Sequence, residues 1–540
     1  MSKITGVIKK AIYQIPGGIH PTEHKSISNK SNIARLAPAK KLILPLETYH
    51  GDKGQLLVEW GDKISAGQKI HTNGIDRLAN NTHSPYDAEV IELADKNFGH
   101  PSEFLKSAIC LQTLSNQTNC SLQPINNYMQ TEPVELIDRI HEAGIVGMGG
   151  AAFPTHIKVK SNSIKTLIVN AMECEPYITC DDRLLREHSK EVLKGALITA
   201  KIVAARQILF GIEDNKPEAT TELAKQIGQY QQQCQKNNQK TPNIQIIVAK
   251  TKYPSGGEKQ LIQLLTGLEV PQKQYPASIG ILVQNVATLF AIQDAICNGQ
   301  TLTHRLVTLT GDLVAMPGNY WIAFGTPLSH IISEMKIDTG KISQVIIGGP
   351  LMGQAIEQTR VKPIADSEIP TQKSTNCLIF NAEKKSRSTV KITNGHKACI
   401  RCGECEIACP VSLLPQQLYW FTQSEQWQSL EQQNLSECIE CGACSYVCPS
   451  EIPLVNYYRF AKSEIKYQKS RQKKSDLAKL RFENREIRIA RIKTERNERR
   501  KKTAEARKLA AANINKDPDG KKSAIQAALQ RVKNKKEEPS

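Results

Sequence analysis

Eight of the chain's 15 cysteines fall into two copies of one spacing. Cys399, Cys402, Cys405 and Cys409 precede Pro410, and Cys438, Cys441, Cys444 and Cys448 precede Pro449, so each copy reads C-x2-C-x2-C-x3-C-P. Three thiolates at this spacing wrap one face of an iron–sulfur cubane, while the fourth opens a helix that carries it toward the neighbouring cluster. The pattern therefore assigns Cys399, Cys402, Cys405 and Cys448 to one 4Fe–4S cluster and Cys438, Cys441, Cys444 and Cys409 to a second. Gly403, Gly442 and Ala443 allow backbone amides to approach the sulfides, and a proline after each fourth cysteine suits the first turn of a helix. Zinc is the competing occupant. It usually takes two C-x2-C pairs and has no use for a third and fourth cysteine at these offsets, twice. Two clusters with interleaved ligands suit the relay of single electrons. The remaining cysteines, Cys110, Cys120, Cys174, Cys180, Cys234, Cys297 and Cys377, show no metal spacing and read mostly as small buried side chains. Cys174 stays open because it lies inside a second motif.

That second region is rich in glycine and carboxylates. Gly147-Met148-Gly149-Gly150-Ala151-Ala152-Phe153 matches G-x-G-x-x-A. A dinucleotide fingerprint should follow a strand and open a helix. Here the segment before it, 134–143, has helical spacing, and the apparent strand, 165–170, comes after. The order is not that of a standard Rossmann unit, and a tight turn between helix and strand is the plain alternative. Even so, bare backbone can approach a phosphate and Lys158 can supply a positive charge. The strand leads into Asn170, Glu173, Cys174 and Glu175, where α/β proteins bind ligands. A third segment, Tyr253-Pro254-Ser255-Gly256-Gly257-Glu258-Lys259-Gln260-Leu261-Ile262, is a turn opening another helix, a natural phosphate site.

These three segments, in this order, resemble the flavin- and NADH-binding subunit of respiratory complex I. Together with the cysteine ladders and Gly17-Gly18-Ile19-His20-Pro21, they resemble the C subunits of Rnf/Rsx ion-translocating electron-transport complexes over roughly residues 10–510. The resemblance implies that Gly147, Gly149, Gly150 and Lys158 cradle an FMN phosphate and that Phe153 lies against the dinucleotide. It implies that Asn170, Glu173 and Glu175 line a flavin and nicotinamide pocket. Gly257, Glu258 and Lys259 would support the second glycine loop, with Asn285 on the flavin side. Ala152, His156, Tyr177 and Ala287 depart from the complex I pattern and add side chains near that ligand or, at Ala287, remove a carboxylate. The implied activity is electron transfer between NAD(H) and ferredoxin-type carriers, coupled to ion translocation by partner subunits of a membrane-bound complex. Its cofactors would be FMN and two 4Fe–4S clusters, at the cytoplasmic side of the inner membrane. A relay adaptor without nucleotide chemistry is the alternative. No catalytic nucleophile or acid–base triad is evident, and none is required.

The elements that must position these groups imply an α/β multidomain chain. Residues 1–110 read as a barrel-sandwich, lipoyl-like module whose hairpin tip, residues 75–79, has no carrier lysine. Residues 125–300 form the Rossmann-like FMN/NADH-binding domain, 301–370 a β-grasp module by resemblance, 380–465 the double ferredoxin domain, and 475–540 a basic helical or disordered tail. Residues 461–540 hold 26 Lys and Arg against 11 Asp and Glu, so +15 of the formal +18 lies there and only +3 in the rest. This charge points to a partner of the tail: an anionic membrane surface, or simply solvent around a single helix. Nucleic acid is disfavoured because aromatic stacking groups are nearly absent from the tail. No run of about 18 apolar residues marks a membrane span, and the first residues lack the apolar core of a signal peptide, so a cytoplasmic compartment with reduced thiols is expected.

Overall fold

Beyond its first strands, the chain builds its sheets from successive stretches of sequence, with two small sheets interleaved in the first of them. The computed structural model describes residues 7–46, 54–73, 78, 80–99, 105–115, 121–161, 163–239, 241–357, 363–382, 397–514 and 520–534. The expected hairpin tip (apart from Leu78) and Cys120 lie outside them. Strands β1 (Ile8–Lys10) and β2 (Ala34–Arg35) add to the edges of two sheets completed much later in the chain.

Strands β3 (Lys41–Pro45), β4 (Gln55–Leu56), β5 (Lys63–Ile64), β6 (Lys69–Thr72), β7 (Thr82–His83), β8 (Ala88–Asn97) and β9 (Leu105–Thr113) form two small antiparallel sheets, ordered β3-β9-β8-β5 and β4-β6-β7. Leu42, Leu44, Ile70, Val90, Ile109 and Leu111 fill the space between them.

Helices α1 (Pro133–Glu142) and α2 (Thr155–Val159) flank the first glycine loop, as the periodicity anticipates for α1. There follow β10 (Thr166–Ala171), α3 (Cys180–Ile202), β11 (Gln207–Glu213), α4 (Pro217–Lys236), β12 (Asn243–Ala249), α5 (Glu258–Thr266), β13 (Ile281–Asn285) and α6 (Val286–Cys297). The parallel sheet runs β1-β12-β11-β10-β13. Its strands read as continuous apolar runs because both faces are covered. Leu167, Val169, Ile208 and Phe210 pack in a core shared with α3 and α6, while Ile168, Leu209 and Ile247 pack in a second core with Leu261, Ile262 and Leu265 of α5.

A mixed sheet ordered β17-β16-β18-β14-β15-β2 comes next. It uses β14 (His304–Thr310), β15 (Gly318–Ala323), β16 (Gln344–Ile347), β17 (Gln354–Glu357) and β18 (Cys377–Asn381), with α7 (Leu328–Glu334) packed on one face through Ile331 and Ile332. Its inner strand β18 lies past residue 370, the end expected of this module from the sequence.

The cysteine region holds short helices α8 (Glu404–Ile407), α9 (Pro415–Gln423), α10 (Trp427–Gln432) and α11 (Ala443–Tyr446). Helix α12 (Leu454–Ile514) begins six residues after the last cysteine of the ladders, well before the expected start near Ser475, and α13 (Gly520–Asn534) follows. Residues 1–461 make one compact unit and residues 462–540 a second. The described residues of the second unit are nearly all exposed, as a charged helix without an apolar stripe must be.

Candidate functional site

In the parallel sheet, successive strands β10, β11 and β12 step one way, and β13 then returns to the other side of β10. Such a reversal leaves a crevice at the carboxyl ends of the two strands, the usual ligand position in open α/β sheets. Asn170 lies near the end of β10 and Asn285 ends β13, and the two are paired in register. Asn170 donates from Nδ2 to the Gly256 carbonyl (2.9 Å) and accepts from the Met172 amide (3.1 Å). Asn285 caps α6, accepting from the Ala287 amide (2.9 Å), and its Nδ2 donates to Asp181 Oδ2 (2.6 Å).

The first glycine loop closes over this end of the sheet. The Gly147 amide donates to the Phe153 carbonyl (2.8 Å), and the Met148 amide donates to Thr288 Oγ1 (2.9 Å). Arg305, 1% exposed, donates to the Met148 carbonyl (3.1 Å). A Cβ at Gly149 would touch Asn285 Cβ at 3.4 Å, whereas Gly150, at φ +118°, has no described atom within 4 Å of that position. The loop is thus anchored on one side and open on the other. Lys373 closes the C-terminal end of α1, donating to the carbonyls of Gly144 (2.8 Å) and Asn81 (2.9 Å), and burial pulls its ammonium down to about 7.

The carboxylates serve the backbone. Glu173 is buried and accepts from the amides of Asp181 (2.8 Å) and Asp182 (3.4 Å) at the start of α3. Burial pushes its carboxyl above the usual range, partly countered by Lys25 and Lys216. Asp181 is pushed up to about 7, first by burial and then by the Glu173 charge. Glu175 accepts from the amides of Leu351 (2.7 Å) and Met352 (3.0 Å), and burial raises it too. Lys158 pairs with Glu258 at 2.6 Å, joining the two glycine segments. Gly257 caps α5, and Lys259 reaches Glu437 of the cysteine region at 3.0 Å. Gly147, Gly149, Gly150, Asn170 and Asn285 therefore gather at the crevice, while Glu175 and Lys259 are engaged with neighbouring segments.

Sequence reasoning does not single out Lys25. Its ammonium, 7% exposed, donates to the carbonyls of Glu173 (2.5 Å), Glu175 (3.0 Å) and Ile178 (2.7 Å). Tyr177, one of the departures from the complex I pattern, stands at φ +68° and stacks on His24 with ring centroids 4.5 Å apart. The N-terminal segment thus straps the carboxylate loop in place.

Two cavities lie in the cysteine region. One is lined by Cys409, Cys438, Cys441 and Cys444 together with Leu413, Leu418, Val455 and Tyr458. The other is lined by Cys399, Cys402, Cys405 and Cys448 together with Tyr419, Ile452 and Leu454. Each cavity takes three thiols from one ladder and the fourth from the other. Thiols are its metal donors, in the number and softness an iron–sulfur cubane takes. Of the seven other cysteines, Cys110, Cys180, Cys234 and Cys377 are buried, and Cys174 and Cys297 partly so. Glu173, Cys180 and Asp181 do bring ligand atoms within 4.8 Å of one another, a grouping that spacing alone does not reveal.

Three family models match the chain: the RnfC barrel sandwich hybrid domain over residues 13–115, the Nuo51 FMN-binding domain over 140–294 and a 4Fe-4S dicluster domain over 398–452. The C subunit of the ion-translocating oxidoreductase complex of Serratia proteamaculans is 40% identical over 535 residues, covering 98% of this chain and 71% of that one. The chain belongs to this family. The corresponding C subunits of Edwardsiella ictaluri and Vibrio cholerae are 42% and 41% identical, covering 98% and 99% of this chain; the chain spans 62% and 66% of their lengths. A solved NAD+-reducing NiFe hydrogenase in the H2-reduced state shows a looser likeness, 20% identical with a TM-score of 0.45, over 63% of this chain and 64% of that one. Among the described residues no helix is long and apolar enough to cross a membrane.

Proposed function

We propose that this chain carries electrons between NAD(H) and ferredoxin-type carriers within a membrane-bound, ion-translocating oxidoreductase complex, through FMN and two 4Fe–4S clusters. The observation that carries the reading is the pair of cavities, each lined by four thiols drawn from both ladders. When bound, flavin exchanges electron pairs with nicotinamide and single electrons with iron–sulfur clusters, which makes it the converter between the two. The match to an FMN-binding domain argues against the relay-only alternative.

The chain's own residues have separable tasks. Cys399, Cys402, Cys405 and Cys448 would hold one cluster, and Cys438, Cys441, Cys444 and Cys409 the other. Gly147, Gly149 and Gly150 offer backbone to a flavin phosphate, with the open side at Gly150 as the fitting surface. Asn170 and Asn285 supply polar groups to the flavin, and Phe153 an aromatic face to the dinucleotide. Lys158 and Glu258 balance charge beside the phosphate. Glu173, Glu175, Gly257 and Lys259 hold the segments that shape the pocket. In this reading residues 301–370 and β18 make a β-grasp module. The basic tail lies against an anionic membrane on the cytoplasmic face of the inner membrane, each Lys or Arg held there contributing about 1 kcal/mol.

The test is anaerobic purification followed by flavin extraction and an NADH–ferricyanide assay. Bound FMN and NADH oxidation are expected; a chain that keeps both clusters but has neither flavin nor NADH oxidation contradicts the nucleotide half of the proposal.

A further inference from the structure

The motif at Gly17-Gly18-Ile19 has no part in the proposed function, yet it occupies a seam between the crevice and one cavity. Gly18 donates its amide to the Ala408 carbonyl (2.9 Å), and Ile19 exchanges two backbone hydrogen bonds with Tyr253 (2.8 and 2.9 Å). A Cβ on Gly17 would stand 2.4 Å from the carbonyl oxygen of Cys409, so only glycine lets this segment lie against the ligand loop. Tyr253, 2% exposed, sends its hydroxyl to the Cys441 carbonyl at 2.6 Å. Three residues further on, Gly256 accepts from Asn170 at the crevice.

A second strut runs beside the first. The Glu175 carboxylate holds the amides of Leu351 and Met352, and the Leu351 carbonyl lies 2.7 Å from where a Cβ on Gly442 would be. Ile19, Tyr253, Leu351, Ala408, Cys441 and Ala443 pack as one buried apolar group that keeps water out of the seam. The other ligand set has different surroundings. Cys402 is exposed, Ile400 and Ile407 are 67% and 71% exposed, and Ser450 and Lys397 tie that ladder back to the cysteine region itself.

We infer that the cluster held by Cys438, Cys441, Cys444 and Cys409 is the flavin-side cluster, and that Tyr253 is the positioning residue that sets its place and potential. The inference rests on the proposal that the crevice takes FMN and the two cavities hold 4Fe–4S clusters. Cluster potentials respond to hydrogen bonds and burial around the ligands. The Tyr253 hydroxyl presents the positive end of its dipole to the Cys441 peptide, which favours the reduced, more negative cluster. The outer set, with Cys402 at the surface, is left for exchange with other carriers.

The test is an anaerobic dithionite titration followed by electron paramagnetic resonance, on wild type and on Tyr253→Phe, Cys441→Ser and Cys402→Ser. Tyr253→Phe is expected to keep both clusters and to move the signal missing from Cys441→Ser to lower potential, leaving the signal missing from Cys402→Ser in place. A shift of the other signal, or of neither, overturns the assignment. Rapid mixing with NADH gives a second measurement that does not need the tyrosine variant. The cluster remaining in Cys402→Ser should be reduced at the wild-type rate, and the one remaining in Cys441→Ser at least tenfold more slowly; the reverse order overturns the inference. Wild-type protein without any iron–sulfur signal instead overturns the underlying proposal, and an iron count distinguishes that failure from the others.

Discussion

Cys402 and Cys441 hold the same rank in two copies of one spacing, but their ladders differ in what lies outside the motif. The first lines a cavity whose loop reaches the surface, with Cys402 exposed. In the second, Cys441 is 7% exposed and packs in a buried apolar group with Ile19, Tyr253 and Leu351. Local spacing fixes which metal centre can form, whereas segments hundreds of residues away fix how wet it is and what it faces. The same division holds in the crevice, where the glycine loop is local but its anchors, Thr288 and Arg305, are not.

The largest effects should come from the ligands. Cys441→Ser and Cys402→Ser are each expected to remove one cluster, seen as loss of about half the iron and sulfide. Only Cys441→Ser should also weaken the body by about 1–3 kcal/mol, because it puts a hydroxyl into an apolar seam. Equal thermal stability of the two variants would remove the claimed asymmetry.

Next comes Lys25→Met, which leaves three carbonyls without their charged donor. A loss of about 3 kcal/mol in unfolding free energy is expected, with flavin lost more readily and cluster content kept. Loss of clusters alongside flavin would mean that the strap supports both regions equally.

A smaller effect follows from Asp181. Its folded-state pKa of about 7 lies above its ordinary value of 3.8, so the stability it contributes is full below about pH 4 and fades as pH rises through 7. Asp181→Asn should flatten that part of the stability–pH profile of the flavin-free protein. An unchanged profile would show that Asp181 is ionised in the crevice.

Smallest for the comparison, removing residues 475–540 should leave iron, sulfide and flavin contents unchanged while reducing binding to anionic vesicles in low salt. Retained vesicle binding would place membrane attraction in the folded body.

Much of the cluster region is legible in the sequence because its information is short-range: a thiol every third residue, then a proline. The helix before the glycine loop and the strand after it are legible from periodicity, and the crevice residues only through the resemblance to a known family. The seam is not. Lys25 acts on carbonyls 148 to 153 residues away, and Tyr253 on one 188 residues away. A lysine and a tyrosine in a loop carry no spacing that reveals such partners. Strands β1 and β2 are equally opaque, since two or three residues gain strand structure only from the distant edges they join. Glu175 shows the converse: a motif carboxylate that holds the amides of a turn in the next sheet and also meets the Tyr253 hydroxyl.

Whether these eight thiols hold two iron–sulfur cubanes is decided by an anaerobic count of iron, inorganic sulfide and zinc per chain. Iron and sulfide are expected in equal amounts, enough for two cubanes per chain, with no stoichiometric zinc. Zinc in their place, or iron without sulfide in protein kept free of oxygen, would contradict that expectation.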